Sequence, residues 1–365
     1  MDKKSIIKKI IKYVLIIMLF VFSFWYLFKD IELHELKNGF KNIKASFLIL
    51  AILMVYAQIF IQGLCYVVMG KGLGVKLNPF RCFGYCSIDL FFSQITPFAV
   101  GGQPVMVYKM KKDDLDVSTT TPMVLLYSFM NKFALIILAI LAASLYFNDF
   151  FKGDNNKIMI FLIIFGVVSN IIIASMSIMF MFMGGFVYKV GVRIIFFLAN
   201  KNLLKKPYTK AKKLKESINN FKMSSSYFKS HLLLCLIVLI LCILKRMATF
   251  AIGYFIYKGF SFSEHGFFYI IFAQTVYALI SDSFPIPGGI GAAEVSIKSL
   301  YDGIYTGSAL GDVAALLVRG ISYYGLILVS GITTLFVMST GKKKKEDETN
   351  EGNSEKDSQF HNSSL

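Results

Sequence analysis

The residues of this 365-residue chain that could do chemistry are charged side chains set inside long apolar runs. A charge at the centre of a membrane helix costs about 2.5–3.5 kcal/mol on insertion scales, so it needs a partner or a function. An arginine guanidinium always stays charged and can bind two phosphate oxygens at once. These groups therefore predict either internal ion pairs or a site for an anion. The candidates are Arg81, Lys132, Arg246, Asp282, Glu294 and Arg319.

Two explanations of these charges stay open. Internal ion pairs, for instance Glu294 with Arg319 or Asp282 with Arg246, would lock helices together. Taken together, however, four or more basic groups face two acids, and this positive surplus favours a bound anion such as a lipid phosphate. Lys245 lies beside Arg246 but could snorkel towards the surface or mark a helix break, so we leave it out of the predicted site.

Two breaks rich in proline and glycine interrupt the apolar pattern. Their backbone N–H and C=O groups would be unsatisfied in lipid, at several kcal/mol each, unless protein buries them or a polar cavity receives them. Short helices that begin near Gln103 and Gly289 would also present N-termini that suit a phosphate. The alternative is that both breaks are ordinary external loops. The site residues predicted in the breaks are Gly101, Gly102, Gln103, Pro287, Gly288, Gly289 and Gly291.

The composition indicates a membrane setting for these groups. Hydrophobic residues make up 56% of the chain and charged residues 17%, against roughly 45–50% and about 25% in soluble domains. Disorder, a disulfide scaffold and an ordinary cytosolic enzyme are thereby excluded. The net charge is +17, and the excess basic residues lie in loops beside apolar spans. This position indicates contact with anionic lipid and not with nucleic acid.

Nothing in the sequence predicts catalytic residues, a metal or another cofactor. The five cysteines fall in apolar stretches without a metal-ligand or disulfide spacing. The four histidines do not cluster, no nucleophile stands beside a base, and no nucleotide-binding loop is present.

The predicted fold is an all-α polytopic membrane protein with about six full spans plus two re-entrant helical hairpins. The two hairpin segments, around 81–112 and 266–301, have short legs. The loops on both sides of the first segment are basic, and those on both sides of the second carry mixed or little charge, so each segment is predicted to enter and leave on the same side of the membrane. Alternatively, the segment 267–284 is just long enough to cross the membrane as a full span, which would change the number of spans. The predicted spans are 13–28, 45–69, 123–147, 158–183, 231–257 and 309–338.

The spans and hairpins form an internal repeat. Residues 45–147 and 231–338 each contain a span, a hairpin and a span, and loop charge orients the two units in opposite directions. Inverted repeats with broken helices that meet near the midplane are typical of transporters.

Loop charge also predicts a cell-membrane protein with both termini in the cytoplasm. Residues 1–340 form the membrane domain, and the basic segment at about 184–230 contributes a cytoplasmic helix or hairpin that either lies on anionic headgroups or is simply solvated. The charged tail 341–365 is predicted to be disordered.

Three motifs resemble the lysylphosphatidylglycerol synthase transmembrane family, the flippase-like region found in multiple peptide resistance factor proteins. They are Phe-Pro-Ile-Pro-Gly-Gly-Ile-Gly-Ala-Ala-Glu at 284–294, Thr-Pro-Phe-Ala-Val-Gly-Gly-Gln-Pro at 96–104, and Arg319 followed by Ile321-Ser322-Tyr323. The similarity covers roughly residues 13–338. At two positions this chain departs from many relatives, which carry Glu where it has Gln103 and an acid–Arg pair where it has Asn131-Lys132.

The resemblance implies translocation of a phosphate-bearing lipid such as an aminoacyl-phospholipid, a glycolipid or a polyprenyl phosphate, with a link to antimicrobial peptide resistance. Arg246 and Arg319 would hold the phosphate while Glu294 balances or gates the site. Implied partners are anionic phospholipids and a separate lipid synthase or glycosyltransferase, with an oligomer possible.

Two alternatives remain. One is aminoacyl-lipid synthesis of the phosphatidylglycerol lysyltransferase type, although we expect no aminoacyltransferase domain after Met338. The other is a non-transporting scaffold for envelope lipid synthesis.

Overall fold

A computed structural model describes residues 41–96, 99, 101–150, 156–200, 207–284, 286–305 and 310–339. Within these ranges all regular structure is helical. The predicted first span, 13–28, and the predicted disordered tail, 341–365, lie outside the described residues. The helices are α1 Ala45–Gly72, α2 Pro79–Gln94, α3 Gly102–Lys112, α4 Val117–Phe150, α5 Asn156–Phe182, α6 Gly184–Asn200, α7 Pro207–Ser230, α8 Leu232–Gly259, α9 Phe267–Ser281, α10 Ala292–Ile304, α11 Leu310–Arg319 and α12 Leu326–Ser339.

Five of the six predicted spans are confirmed as helices long and apolar enough to cross a membrane. They are α1, most of α4 and α5, α8, and the continuous run Leu310–Ser339 that joins α11 to α12 through a π-helical turn. Large apolar side chains on them stay uncovered, with Leu335 74% exposed. Only lipid tails would make such surfaces stable, and the chain is therefore a multi-pass membrane protein.

The two predicted breaks separate short helices. The 16 residues of α2 reach about 24 Å and the 15 of α9 about 22 Å, both less than a hydrocarbon core of roughly 30 Å. After α9 the chain makes a 3₁₀ turn at Pro287–Gly289 before α10 begins. Because α9 ends at Ser281, the alternative of a full span over 267–284 loses support. That each helix pair re-enters the membrane stays a prediction.

The two predicted repeat units contact each other through their helices. α1 packs along α8, and these are the first spans of the two units. In addition, α12 of the second unit packs on α2 of the first, and α9 of the second packs on α4 of the first. The Pro287–Gly289 turn of the second break also contacts α2 of the first unit.

The basic segment 184–230 contains two helices, α6 and α7, which pack against each other. α7 also contacts α4, so it is held against the membrane domain. The prediction of a helix or hairpin in this segment agrees with this arrangement, while its contact with headgroups stays a prediction.

Candidate anion-binding cavity between the repeat units

A polar cavity of about 190 Å³ lies where the two repeat units meet. The spans α1, α4 and α8, the short helices α2 and α9, and both breaks all contribute to its wall. Its charged and amide-bearing side chains are Gln58, Gln62, Asp89, Gln94, Gln103, Asn131, Lys132, Lys245, Arg246, Gln274, Asp282 and Arg319.

Asp282 holds two cations in this wall. Its Oδ2 lies 2.9 Å from Arg246 Nη2 and 3.1 Å from Lys132 Nζ. The predicted alternative of an Asp282–Arg246 ion pair is thus confirmed. Lys132 belongs to the first unit and Asp282 to the second, so this cluster joins the two units by charge.

The second predicted pair, Arg319 with Glu294, is also formed and is more deeply buried. Arg319 is 2% exposed and Glu294 is fully buried, with Nη2 of the arginine 3.1 Å from Oε1 of the glutamate. Arg319 Nη1 donates to the Tyr277 hydroxyl at 2.6 Å, and Nη2 donates to the Gly288 carbonyl at 2.7 Å. The guanidinium also stacks 4.2 Å from the ring centre of Tyr323.

This geometry assigns Arg319 to the wall of the cavity. Its donors already have protein partners and its charge is neutralised, so little of it is available to a phosphate. The residue instead ties α11 to the Pro287–Gly289 turn, and the turn to α9.

The N-termini predicted to bind phosphate already face carboxylates of the protein. Glu294 Oε2 accepts from the Gly291 N–H at 2.6 Å and caps α10. α3 begins against Asp89, since a Cβ added to Gly102 would lie 2.6 Å from Asp89 Oδ1. The Glu294 carboxylate therefore occupies the α10 N-terminus that the sequence suggests for a phosphate.

Lys245 is the cation of the cavity that has no counter-ion. It is 7% exposed and lines the cavity, yet its ammonium forms no ion pair or hydrogen bond with any residue that the structure describes. Burying an unpaired charge is costly. A free ammonium on the wall of a polar cavity therefore indicates a bound anion or water.

Other polar atoms around the cavity also lack partners within the described part of the chain. Buried groups of this kind normally find a hydrogen bond, so a set of them indicates a guest molecule or water. The atoms are Gln58 Nε2, Gln62 Oε1, Asn131 Oδ1 and Arg246 Nε.

The charge of the cavity follows once the neutral Arg319–Glu294 pair is set aside. Three cations remain against two carboxylates, which gives a net charge of +1. Asp89 is the acid that the predicted site omitted, and it accepts from Gln62 Nε2 at 2.8 Å. The sequence signal for Asp89 is a carboxylate inside the apolar stretch 81–96, the first leg of the first predicted hairpin. The three cations are Lys132, Lys245 and Arg246, and the two carboxylates are Asp89 and Asp282.

The remaining predicted site residues divide between the cavity and other positions. Gln103 lines the cavity and donates to Ser128 Oγ at 3.1 Å. Gly101 is bound to Thr96 Oγ1 at 3.0 Å, while Pro287 and Gly289 are buried in the turn. Arg81 lies elsewhere, because it is exposed and lines a separate cavity with Lys109 and Lys112.

Replacing Gly288 with alanine is expected to destabilise the turn by about 2–4 kcal/mol. Gly288 has φ +63°, and an added Cβ would collide with the ring of Tyr323. Thermal unfolding in detergent measures the change. Gly303→Ala is the matched control, since that site in α10 has open space around it. Equal melting temperatures for the wild type and Gly288→Ala would contradict the expectation.

Comparison with known proteins gives one match. No curated protein and no solved structure matches this chain. The family described as "Lysylphosphatidylglycerol synthase TM region" matches residues 9–330, which include both breaks and every charged residue of the cavity. The chain belongs to the lysylphosphatidylglycerol synthase TM-region family.

Proposed function

We propose that this protein translocates a phosphate-bearing membrane lipid, whose headgroup passes through the cavity between the repeat units. The observation that carries the proposal is the ammonium of Lys245, which has no counter-ion among the described residues and lines a polar cavity of net charge +1. Family membership supports a membrane domain related to lipid synthesis or translocation. The fold agrees with this role, since transporters bind their substrates between repeats near the midplane.

The charge arrangement suits an anion that must enter and leave. Lys245 and Arg246 both line the cavity, and a phosphate that reached both side chains would gain two charge-assisted hydrogen bonds. Asp282 competes with the phosphate for Arg246 and Lys132, which keeps binding weak enough for release. The buried Arg319–Glu294 pair keeps the neighbouring wall in place. Apolar side chains on the spans would leave the acyl chains in lipid.

The topology and partners belong to the same proposal. Basic loops support a cell-membrane protein with cytoplasmic termini. Anionic phospholipids, and a separate lipid synthase or glycosyltransferase, are the proposed partners.

The test is a headgroup-accessibility assay in proteoliposomes. Fluorescent phosphatidylglycerol, aminoacyl-phosphatidylglycerol and a polyprenyl phosphate are compared with a fluorescent diacylglycerol that lacks phosphate. We expect the protein to accelerate translocation of at least one phosphate-bearing lipid over protein-free vesicles. Rates equal to those of protein-free vesicles across the whole panel would overturn the proposal.

The second candidate is aminoacyl-lipid synthesis, which the description of the family favours because it names a synthase. The purified protein is given phosphatidylglycerol and charged tRNA. Formation of aminoacyl-phosphatidylglycerol would promote this candidate over transport.

A further inference from the structure

A second cavity, of about 470 Å³, lies apart from the central one. It is formed where helices end, because Arg81 is in the first turn of α2, Lys112 is the last residue of α3, and Val337 is in the last turn of α12. Since α12 closes the apolar run Leu310–Ser339, this end of the bundle lies at the edge of the hydrocarbon core. Lipid headgroups occupy that level. The lining is Phe80, Arg81, Tyr85, Lys109, Lys112, Asp113, Asp114 and Val337.

The charges that line this cavity leave two cations available. Asp113 forms an ion pair with Lys109 Nζ at 2.6 Å and accepts a hydrogen bond from the Tyr85 hydroxyl at 2.7 Å. The Arg81 guanidinium forms no ion pair or hydrogen bond with the part of the chain that the structure describes. Within that part the Lys112 ammonium forms no ion pair either, and it lies 5.1 Å from the ring centre of Tyr108.

The lining as a whole holds three cations against two carboxylates, a net charge of +1. The second carboxylate, Asp114, is exposed to solvent. Lysines outside the lining, such as Lys111, add positive charge at the same helix end.

An ordered helix start presents Arg81 to this cavity. The Asn78 side chain accepts from the Phe80 N–H at 2.8 Å and caps α2. The positive end of the helix dipole therefore adds to the charge of the guanidinium. Phe80 is 82% exposed beside it, and aromatic side chains favour the level between headgroups and acyl chains.

We propose that this second cavity binds the phosphate of an anionic phospholipid from the surrounding bilayer. Arg81 and Lys112 hold the phosphate oxygens, and Phe80 contacts the upper part of the acyl chains. This lipid is a bound neighbour of the bundle and does not enter the central cavity.

The test places a fluorescent reporter beside the cavity. Trp25 is the single tryptophan of the chain, so the full-length variant Trp25→Phe/Phe80→Trp reports on the site alone. It is placed in phosphatidylcholine vesicles with an equal mole fraction of either brominated phosphatidylglycerol or brominated phosphatidylcholine. Quenching measures which lipid is next to residue 80 and does not depend on transport.

We expect phosphatidylglycerol to quench preferentially. Each cation near the surface contributes roughly a fivefold preference, so Arg81→Gln/Lys112→Gln in the reporter background should reduce it roughly tenfold or more. Lys111→Gln is the control, since it removes one charge next to Lys112 without changing the lining of the cavity. It should reduce the preference by no more than the roughly fivefold effect of one surface cation. Both cations are exposed, so their replacement should cost little stability.

Three outcomes would overturn the proposal. They are equal quenching by the two lipids in the reporter protein, an equal loss of preference in Lys111→Gln and the double variant, and displacement of brominated phosphatidylglycerol by soluble glycerol phosphate. The last result would indicate a site for soluble anions. Selective loss in the double variant, with no effect of glycerol phosphate, would support a lipid site.

Discussion

Replacing Arg319 with methionine is expected to lower the free energy of unfolding by about 3–5 kcal/mol, because it removes the cation that forms an ion pair with a fully buried carboxylate. Glu294 has no exposed surface, and Arg319 is its ion-pair partner. The substitution also removes the donors to Tyr277 and Gly288, which loosens the turn. Equilibrium unfolding in mixed micelles measures the loss.

Two further variants make this result specific. Arg319→Met/Glu294→Gln removes both charges, so it should recover a substantial part of the loss. Lys298→Gln breaks a partly exposed ion pair, in which Nζ lies 3.2 Å from Asp312 Oδ1, and should cost about 1 kcal/mol or less. If Arg319→Met were no less stable than Lys298→Gln, the assignment of Arg319 to the wall would be wrong.

Much of the fold follows from apolar run length and from proline and glycine. The sequence predicts a span over 231–257 because no polar residue interrupts it from 232 to 244, and α8 covers all of that range except His231, which is its N-cap. The end of α9 at Ser281 was less certain, since residues 267–284 are long enough to cross. The structure ends that helix where Asp282 meets Lys132 and Arg246, and these contacts are tertiary.

The roles of individual charges were harder to predict than their presence. Arg319 and Lys245 both lie within apolar helices, and the sequence favoured the arginine as the phosphate ligand. What separates them is partner geometry, since Arg319 meets Glu294 while Lys245 meets no carboxylate within bonding distance among the described residues. Which acid reaches which base depends on the packing of α9, α10 and α11, and composition and spacing do not contain that information.

Replacing Lys245 with glutamine is expected to slow translocation of phosphate-bearing lipid at least tenfold. One charge-assisted hydrogen bond contributes about 1.5–3 kcal/mol, and 1.4 kcal/mol corresponds to a factor of about ten. Stability should change little or rise, since an unpaired buried charge is removed. The measurement is the translocation rate of fluorescent phosphatidylglycerol in proteoliposomes, with unfolding followed on the same preparation.

The controls come from the same helix and the same position. Lys258→Gln removes a lysine from the last turn of α8, outside the cavity, and should translocate at the wild-type rate. Lys245→Arg keeps the charge and should retain more activity than Lys245→Gln. If Lys245→Gln folds and translocates lipid like the wild type, Lys245 is not the residue that binds the phosphate in the cavity. Arg319→Met cannot show which residue binds the phosphate, because it is expected to destabilise the protein and would slow transport for that reason alone. Lys245→Gln is expected to weaken binding without loss of stability, so it separates the two effects.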